Sequence, residues 1–387
     1  TDWKDCMKIL IVTDAWYPQV NGVVRTLETV RGELGEMGHD VHVISPDQFK
    51  TIPCPTYPEI RLALFAKRKM AKMIEALHPV AIHISTEGPL GQAARAYCLK
   101  KGLPFSTAYH TRFPEYIHAR WRLPLSISYR GMRKFHSKSQ SVMVATESLR
   151  QELSDWGFNN LHIWSRGVDL NLFRPRPGAS FGDFPKPHWL FVGRVAVEKN
   201  IGHFLDLDLP GTKFVVGDGP QLSELKGKYP NTQFLGKKIG EELANAFAAA
   251  DVFVFPSKTD TFGLVILEAL ASGTPVAVFP VQGPADIVRD TKAGAIDADL
   301  REAAMAALEL KSEDARALAE QYSWHNSASQ FLHNLAPFSG GFGGVEAIRI
   351  SLDDAARHTP EDIKSHTDSD KTAAPNDTTA PIGQPAQ

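Results

Sequence analysis

Short apolar runs recur along the chain, and stretches with helical spacing of apolar positions separate most of them. In the first half these strand candidates are Lys8–Thr13, Val41–Ser45, Ile60–Leu64, Ala81–Ser85, Phe105–Tyr109, Ser141–Ala145 and His162–Ser165. A run such as Ile9-Leu10-Ile11-Val12 is apolar on both faces. A strand in a parallel sheet covered on both sides needs that. The alternation predicts an α/β domain over residues 7–173. Residues 174–187 are rich in Pro, Gly and Phe and read as a linker. A second series follows: Trp189–Val192, Lys213–Val216, Thr232–Leu235, Val252–Phe255, Pro275–Phe279 and Ala293–Ile296. It predicts a second α/β domain over residues 188–323. Two open α/β sheets in tandem leave a cleft between them, and ligands of such sheets bind beyond the carboxyl ends of the strands. Residues 339–387 turn polar, rich in Asp, Thr, Pro and Ala towards the end, and read as a largely disordered tail. Residues 1–6 precede Met7 and read as an extension.

Composition narrows the function. The 387 residues carry 42 Lys+Arg against 44 Asp+Glu, which argues against a nucleic-acid partner. Cys6, Cys54 and Cys98 are too few and scattered for a disulfide framework or a zinc site, so a reducing, cytoplasmic setting fits best. No apolar stretch is long enough to predict a transmembrane helix, and the start of the chain lacks the pattern of a secretory signal.

The charge is unevenly spread. Residues 1–180 hold 24 Lys+Arg and 16 Asp+Glu, while the remainder is acidic. From Tyr116 to Thr146 there is no acidic residue, and Arg120, Arg122, Arg130, Arg133, Lys134 and Lys138 alternate with Trp121, Leu123, Ile127, Tyr129, Met132 and Phe135. A second cluster, Lys67, Arg68, Lys69 and Lys72, adjoins Phe65, Met73 and Ile74. Such segments lie on anionic membrane surfaces, or they are solvated helix faces with a buried apolar side.

The strand ends carry the candidate chemistry. After the first strand, Gly22 stands where a loop becomes a helix, a place where backbone can approach a diphosphate, although any βα turn can hold an Asn-Gly. The strand ending at Tyr109 delivers His110, Thr111 and Arg112, and a histidine there can donate to a sugar hydroxyl, act as a base, or be satisfied by a neighbouring carbonyl. Arg194 and Lys199 lie in one loop and can converge on a polyanion, or remain surface cations beside Glu198. The densest stretch runs from Thr259 to Gly273. Asp260 sits in its loop, Gly263 and Leu264 open a helix with free backbone N–H groups, and Glu268 falls within an otherwise apolar helix where a bare carboxylate would be costly. Thr259 or Asp260 alone could be no more than a helix cap.

Taken together, Gly22, Gly193-Arg194…Lys199, and Asp260…Glu268 around Phe262-Gly263 resemble the retaining glycosyltransferases of family four, which have the GT-B fold. The resemblance covers about residues 7–338, with its stretches in the family's order. The family usually has Glu where this chain has Asp260, one methylene shorter. Tyr109-His110-Thr111, Glu198-Lys199-Asn200 and Thr259-Asp260-Thr261-Phe262-Gly263 look most like the branch that glycosylates diacylglycerol, with its sulfoquinovosyl-, glucosyl- and glucuronosyl-diacylglycerol synthases, and neighbouring mannosyltransferases. Trp324 and the residues after it, 324–338, look like the helix that crosses back to the first domain in this fold.

The resemblance implies a nucleotide-sugar co-substrate, held mainly by the second domain, and no cofactor or metal. Glu268 would hold the ribose; Arg194, Lys199 and the tip at Gly263-Leu264 the diphosphate; Asp260 and the backbone near Phe262 the sugar hydroxyls. Gly217, Asp218, Gly236 and Lys237 would border the base. The acceptor would lie near Tyr17, Tyr109, His110, Arg112 and Tyr116, and Trp121, Arg122, Arg130, Arg133 and Lys134 would meet the cytosolic face of an anionic membrane. A lipid acceptor and a UDP-sugar follow from the branch; a soluble glycosyltransferase, such as a GDP-mannose-dependent mannosyltransferase acting on a polysaccharide or small glycoside, is the alternative. An epimerase or phosphorylase on the same architecture stands behind both. Asp206-Leu207-Asp208, Asp297-Ala298-Asp299 and Asp368-Ser369-Asp370 match the short Asp-x-Asp pattern of metal-dependent transferases, but none lies in these loops.

Overall fold

The computed structural model describes residues 6–19, 21–54, 57–339 and 346–347. Among these, the side chains of residues 57–59, 116, 119–121, 339, 346 and 347 lie outside the description.

The first half is built on β1 (Lys8–Val12), β2 (Asp40–Ile44), β5 (Ala81–Ile84), β6 (Ser106–Ala108), β7 (Ser141–Val144) and β8 (Leu161–Ile163). They form one parallel sheet in the order β2-β1-β5-β6-β7-β8. Each crossover inserts a helix, and apolar side chains of β1 go to both faces: Leu10 and Val12 pack with Met70, Ile74 and Phe105, while Ile9 and Ile11 pack with Leu27, Val30 and Phe331. Ile60–Leu64 is strand as expected, yet not part of this sheet. It belongs to β4 (Tyr57–Ala63), which pairs antiparallel with β3 (Thr51–Cys54) in a separate two-stranded hairpin. Pro53 within β3 hid the partner strand, since proline is tolerated only where a ladder hydrogen bond is not needed.

The second half repeats the plan. β9 (His188–Val192), β10 (Thr212–Val216), β11 (Gln233–Gly236), β12 (Val252–Phe255), β13 (Val276–Val278) and β14 (Gly294–Ile296) form a parallel sheet in the order β11-β10-β9-β12-β13-β14. Strand order reverses beside the first strand of each sheet, which opens a crevice at the carboxyl ends there. This is an α/β architecture of two Rossmann-like halves.

The helix Trp324–His333 follows the second half in sequence and packs in the core of the first. Ser323 caps it by accepting from the Asn326 N–H at 3.0 Å. Its Ala328, Phe331 and Leu332 are buried with Leu27, Val30, Leu34 and Trp164. Polar ties fix its register: Trp164 Nε1 donates to Ser327 Oγ at 3.1 Å, the Ser165 N–H to Gln330 Oε1 at 2.8 Å, and Asn334 Nδ2 to the Ile163 carbonyl at 2.8 Å. The segment after β8 is thereby clamped from the far end of the chain.

Candidate functional site

In the second half, the loops beyond the carboxyl ends lock to one another through backbone. The Gly193 N–H donates to the Val216 carbonyl at 3.0 Å, the Val195 N–H to Asp218 at 2.9 Å, and the Gly217 N–H to Gly236 at 2.9 Å. A Cβ at Gly217 would stand 1.8 Å from the Gly193 carbonyl oxygen, so glycine is the residue that allows this approach. Asp218 and Lys237 are exposed on the loops so formed.

This platform presents the two cations. Lys199 closes a short turn, Val197–Lys199, and its Nζ lies 2.5 Å from Asp260 Oδ1. Arg194 is a third exposed, with Nε 4.0 Å from Glu198 Oε1. Asn200 Nδ2 donates to the Pro256 carbonyl at 3.0 Å, and Thr259 Oγ1 to that of Glu198 at 3.2 Å, which joins the loops after β9 and β12. Gly263 then takes φ +97°, a left-handed conformation that favours glycine, and the helix Leu264–Ala271 begins. Phe262 is buried in the core beneath.

Glu268 is 3% exposed, in a helix whose Ile266, Leu267, Ala269 and Leu270 are buried as well. Its Oε1 pairs with Arg25 Nη2, from the first half. Burial pushes its carboxyl above the ordinary range, and the Arg25 charge opposes that. Glu268 Oε2 and Asp260 Oδ2 are buried acceptors with no hydrogen-bond partner among the described residues. Buried carboxylate oxygens are rarely left so, because desolvation without a donor is costly. Hydroxyl groups of a bound ligand would satisfy them.

The first half closes the cleft from the other side. Asp14 anchors its loop, accepting from the Leu90 N–H at 2.8 Å, the Gly91 N–H at 3.2 Å and Thr86 Oγ1 at 2.8 Å. Asn21 caps the next helix, Gly22–Glu36, through the N–H groups of Val23 and Val24. A Cβ at Gly22 would lie 3.6 Å from Leu264 Cδ1, so the two helix tips meet here. Tyr17 is half-exposed and donates to Glu28.

His110 sits at the end of β6, and its carbonyl accepts from Thr261 Oγ1 at 2.9 Å, across the cleft. Its ring is edge-on to Trp164 with centroids 5.5 Å apart. Burial first, and then the Arg166 charge, hold it well below the usual histidine range.

Two acceptor-side expectations change. Tyr109 is fully buried, its ring edge-on to Phe158, because adjacent strand residues point to opposite faces and His110 takes the cleft. Arg112 is committed to structure: it donates to Glu152 Oε1 at 3.0 Å and to Gln282 Oε1 at 2.9 Å, tying the halves together. The side chain of Tyr116 lies outside the described residues, as does that of Trp121. Arg122, Arg130, Arg133 and Lys134 are exposed, whereas Tyr129 and Phe135 of the same window face the core. No helix among the described residues is long and apolar enough to cross a membrane.

The Asp-x-Asp matches are accounted for locally. Asp206 pairs with Lys228 and Tyr229 ahead of β10, away from the carboxyl ends. Asp299 caps the helix Leu300–Leu308. The third match lies outside the described residues. Arg25, Arg166 and Gly283 were not singled out from the sequence. Arg25 had one legible signal, standing one helical turn after Gly22. Gly283 takes φ +87°, and a Cβ there would stand 2.7 Å from the Thr261 backbone.

The glycine-led helix tip, the cations Arg194 and Lys199, and the carboxylates Asp260 and Glu268, each with an unpartnered oxygen among the described residues, stand beyond the carboxyl ends of the second Rossmann-like sheet. Residues 20–172 match the family model for glycosyltransferase family 4, and residues 186–313 match that for glycosyl transferases group 1. The chain belongs to glycosyltransferase family 4. It is 30% identical to the alpha-monoglucosyldiacylglycerol synthase of Streptococcus pneumoniae over 70% of either chain. It is 28% identical to a GDP-mannose-dependent alpha-mannosyltransferase of Mycobacterium tuberculosis, over 74% of this chain and 83% of that one. Its fold is similar to that of Anabaena HepE, solved with UDP and glucose, with a TM-score of 0.63 at 15% identity over 84% of this chain and 98% of the other. The architecture is GT-B.

Proposed function

We propose that this protein transfers a hexosyl or hexuronosyl group, with retention and without a catalytic metal, from a nucleotide sugar to a lipid such as diacylglycerol at the cytosolic membrane face. A UDP-sugar is the favoured donor. The observation that carries the proposal is the pair of unpartnered carboxylate oxygens, Asp260 Oδ2 beside the Lys199 ammonium and Glu268 Oε2 on the helix that opens at Gly263-Leu264. Ribose hydroxyls donate to Glu268 and sugar hydroxyls to Asp260. Arg194, Lys199 and the helix tip take up the charge that develops on the departing diphosphate. The anomeric carbon–phosphate oxygen bond breaks, the bond to the acceptor oxygen forms on the same face, and the leaving phosphate takes the acceptor proton. No protein nucleophile is required.

The S. pneumoniae relative's name supports a diacylglycerol product, and the HepE likeness supports a UDP-sugar. The surface of the first half supports a membrane partner. The helices Ala66–Leu77 and Leu125–His136 belong to one layer, both contributing to a core shared with the helix Pro89–Lys101. Lys67, Arg68 and Lys72 on the first, and Arg130, Arg133 and Lys134 on the second, are exposed. Phe65, 93% exposed, and Ile127, 55% exposed, stand beside them. Cations with protruding apolar groups suit an anionic bilayer surface.

The mannosyltransferase relative favours a second reading, GDP-mannose with a water-soluble acceptor. A panel of UDP- and GDP-sugars with diacylglycerol in anionic vesicles, and Glu268→Ala as control, separates the two. A lipid-extractable product lost in the control supports the first. Turnover into a soluble glycoside alone moves the acceptor, and no turnover with any donor overturns both.

A further inference from the structure

We infer that Arg166 is a positioning residue that fixes the proton of His110 on Nε2, making the imidazole a hydrogen-bond donor to the bound sugar and removing it as a general base. The inference deepens the reading of the cleft as a sugar site and rests on it for the identity of the acceptor of that hydrogen bond. The first point is geometric. Arg166 Nη2 lies 3.4 Å from His110 Nδ1. A guanidinium carries donors only, so the nitrogen facing it must offer a lone pair. In a neutral imidazole the proton then sits on the other nitrogen. That nitrogen, Nε2, is buried and has no hydrogen-bond partner among the described residues. It is a donor without an acceptor, on a residue whose carbonyl already contacts Thr261 of the donor-binding loop.

The second point is electrostatic. Arg166 is 5% exposed, and no carboxylate lies within ion-pair distance of it among the described residues. Burial lowers its own pKa only to about 9, so it is charged at neutral pH. The other titratable groups acting on His110 are His83 and His136. His83 Nδ1 lies 2.9 Å from Ser106 Oγ, and His136 is held between Thr107 Oγ1 and Glu87. The group in direct contact with the ring is thus a cation, which opposes protonation.

The third point is rigidity. Arg166 Nη1 donates to the Trp164 and Ser165 carbonyls, and the guanidinium carbon lies 4.3 Å from the centre of the Trp164 ring. Trp164 and Ser165 are held by the returning helix through Ser327 and Gln330. At Gly167 a Cβ would stand 2.4 Å from the Trp324 nitrogen, so the segment is pressed against that helix. The helix that follows the second half therefore sets the cation that sets the histidine of the first.

The test reads the tautomer directly and needs no turnover. The full chain is labelled with [15N]histidine, His110 is assigned by loss of its signals in His110→Gln, and both ring nitrogens are followed from pH 5.5 to 8.5. The expected result is a proton on Nε2 and none on Nδ1, without titration. A proton on Nδ1, or titration within this range, overturns the inference. In Arg166→Gln, whose amide can also accept from Nδ1, the single tautomer should be lost, and in Arg166→Lys, which keeps charge and donor, it should be retained. An unchanged tautomer in a folded Arg166→Gln also overturns the inference. Turnover by Arg166→Gln should fall about 10- to 100-fold, as misplacement by up to about 1 Å costs, and Arg166→Lys should recover part of it. If Arg166→Gln does not fold, the wild-type tautomer and its pH independence still decide. Because tautomer and activity are read separately, failure of the glycosyltransferase reading would leave the tautomer result standing.

Discussion

The two walls of the cleft are made differently. In the second half, the loops after the first three strands of the sheet hydrogen-bond to one another through backbone, and Gly217, Gly219 and Gly283 each lack a Cβ that would stand against a neighbouring loop's backbone. In the first half, the wall is held by side chains from distant elements: Asp14 on the tip of the helix Pro89–Lys101, Arg112 on Glu152 and Gln282, and Arg166 on His110. Backbone locking yields a fixed geometry, which on the reading proposed above would suit a diphosphate and ribose that every donor of one nucleotide class shares. Side-chain networks can be rebuilt by substitution while the sheet stays intact, which would suit the wall proposed to meet the acceptor.

The difference predicts unequal costs of mutation. The largest effect should come from the donor wall. Arg194→Ala combined with Lys199→Ala should lower kcat by about 10³- to 10⁴-fold, since removing a single group that stabilises developing charge costs about 10²–10³. The fold should survive, because Arg194 is a third exposed and Lys199 a quarter exposed. Steady-state kinetics with a thermal melt alongside checks both halves of this expectation, and a loss below tenfold would break the assignment of the leaving-group site.

Next in size is the basic face of the first half. Replacing Arg130, Arg133 and Lys134 with Glu should weaken sedimentation with anionic vesicles by about 100-fold or more, at roughly 1 kcal/mol per cation near the surface. Activity on a detergent-solubilised acceptor should hold, since these side chains are exposed on the helix Leu125–His136 and Arg133 donates to the Trp156 carbonyl at 2.8 Å rather than to a cleft residue. Unchanged vesicle binding would leave the exposed cations as a solvated face only.

A smaller effect, on stability, tests the backbone lock itself. Gly217→Ala places a methyl 1.8 Å from the Gly193 carbonyl oxygen, and the loops must part to admit it. A cost of about 1–3 kcal/mol is expected from overpacking of this kind. Gly32→Ala, where a Cβ meets nothing within 4 Å on an exposed helix face, is the control and should be neutral or slightly stabilising. Denaturant titration of both variants reads the contrast.

The same difference decided what the sequence made legible. Both sheets could be read from apolar runs, because a covered parallel strand is apolar on both faces whatever its neighbours. The places of Arg194 and Asp260 were legible because each follows a strand within a few residues, and those of Lys199 and Glu268 because the short turn and the helix that carry them come directly after those loops. The first wall resisted. Arg166 meets a histidine 56 residues away, and Arg25 meets Glu268 from the other half, so neither pairing has a local signature. Tyr109 was misplaced for a simpler reason: at a strand end, alternation decides which of two neighbours faces the cleft, and the register was not fixed by the pattern alone. The hairpin of β3 and β4 was half-read because proline masks an edge strand.

The smallest predicted effect separates the halves by pH. Burial depresses the pKa of His39, His83, His110 and His162, all in the first half, and brings His83 to about 3. In the unfolded chain these rings titrate near 6.5. As pH falls below that value the unfolded state takes up protons that the native state refuses, so stability is lost between about 6.5 and 3 and is unaffected by these groups above 6.5. Asp14 and Glu268, whose pKa burial raises, act with the opposite sign: their unfolded forms ionise above about 4 to 4.5, and the native state then forfeits stability as pH rises. The histidines outnumber them, so the net slope through pH 6.5 to 5.5 should favour the higher pH, by roughly 1 kcal/mol per fully buried ring over that unit. His83→Gln, with an amide that can still meet Ser106 Oγ, should flatten this slope. Denaturant midpoints of wild type and variant at the two pH values measure it, and equal slopes would mean that the protons are taken up elsewhere than on His83.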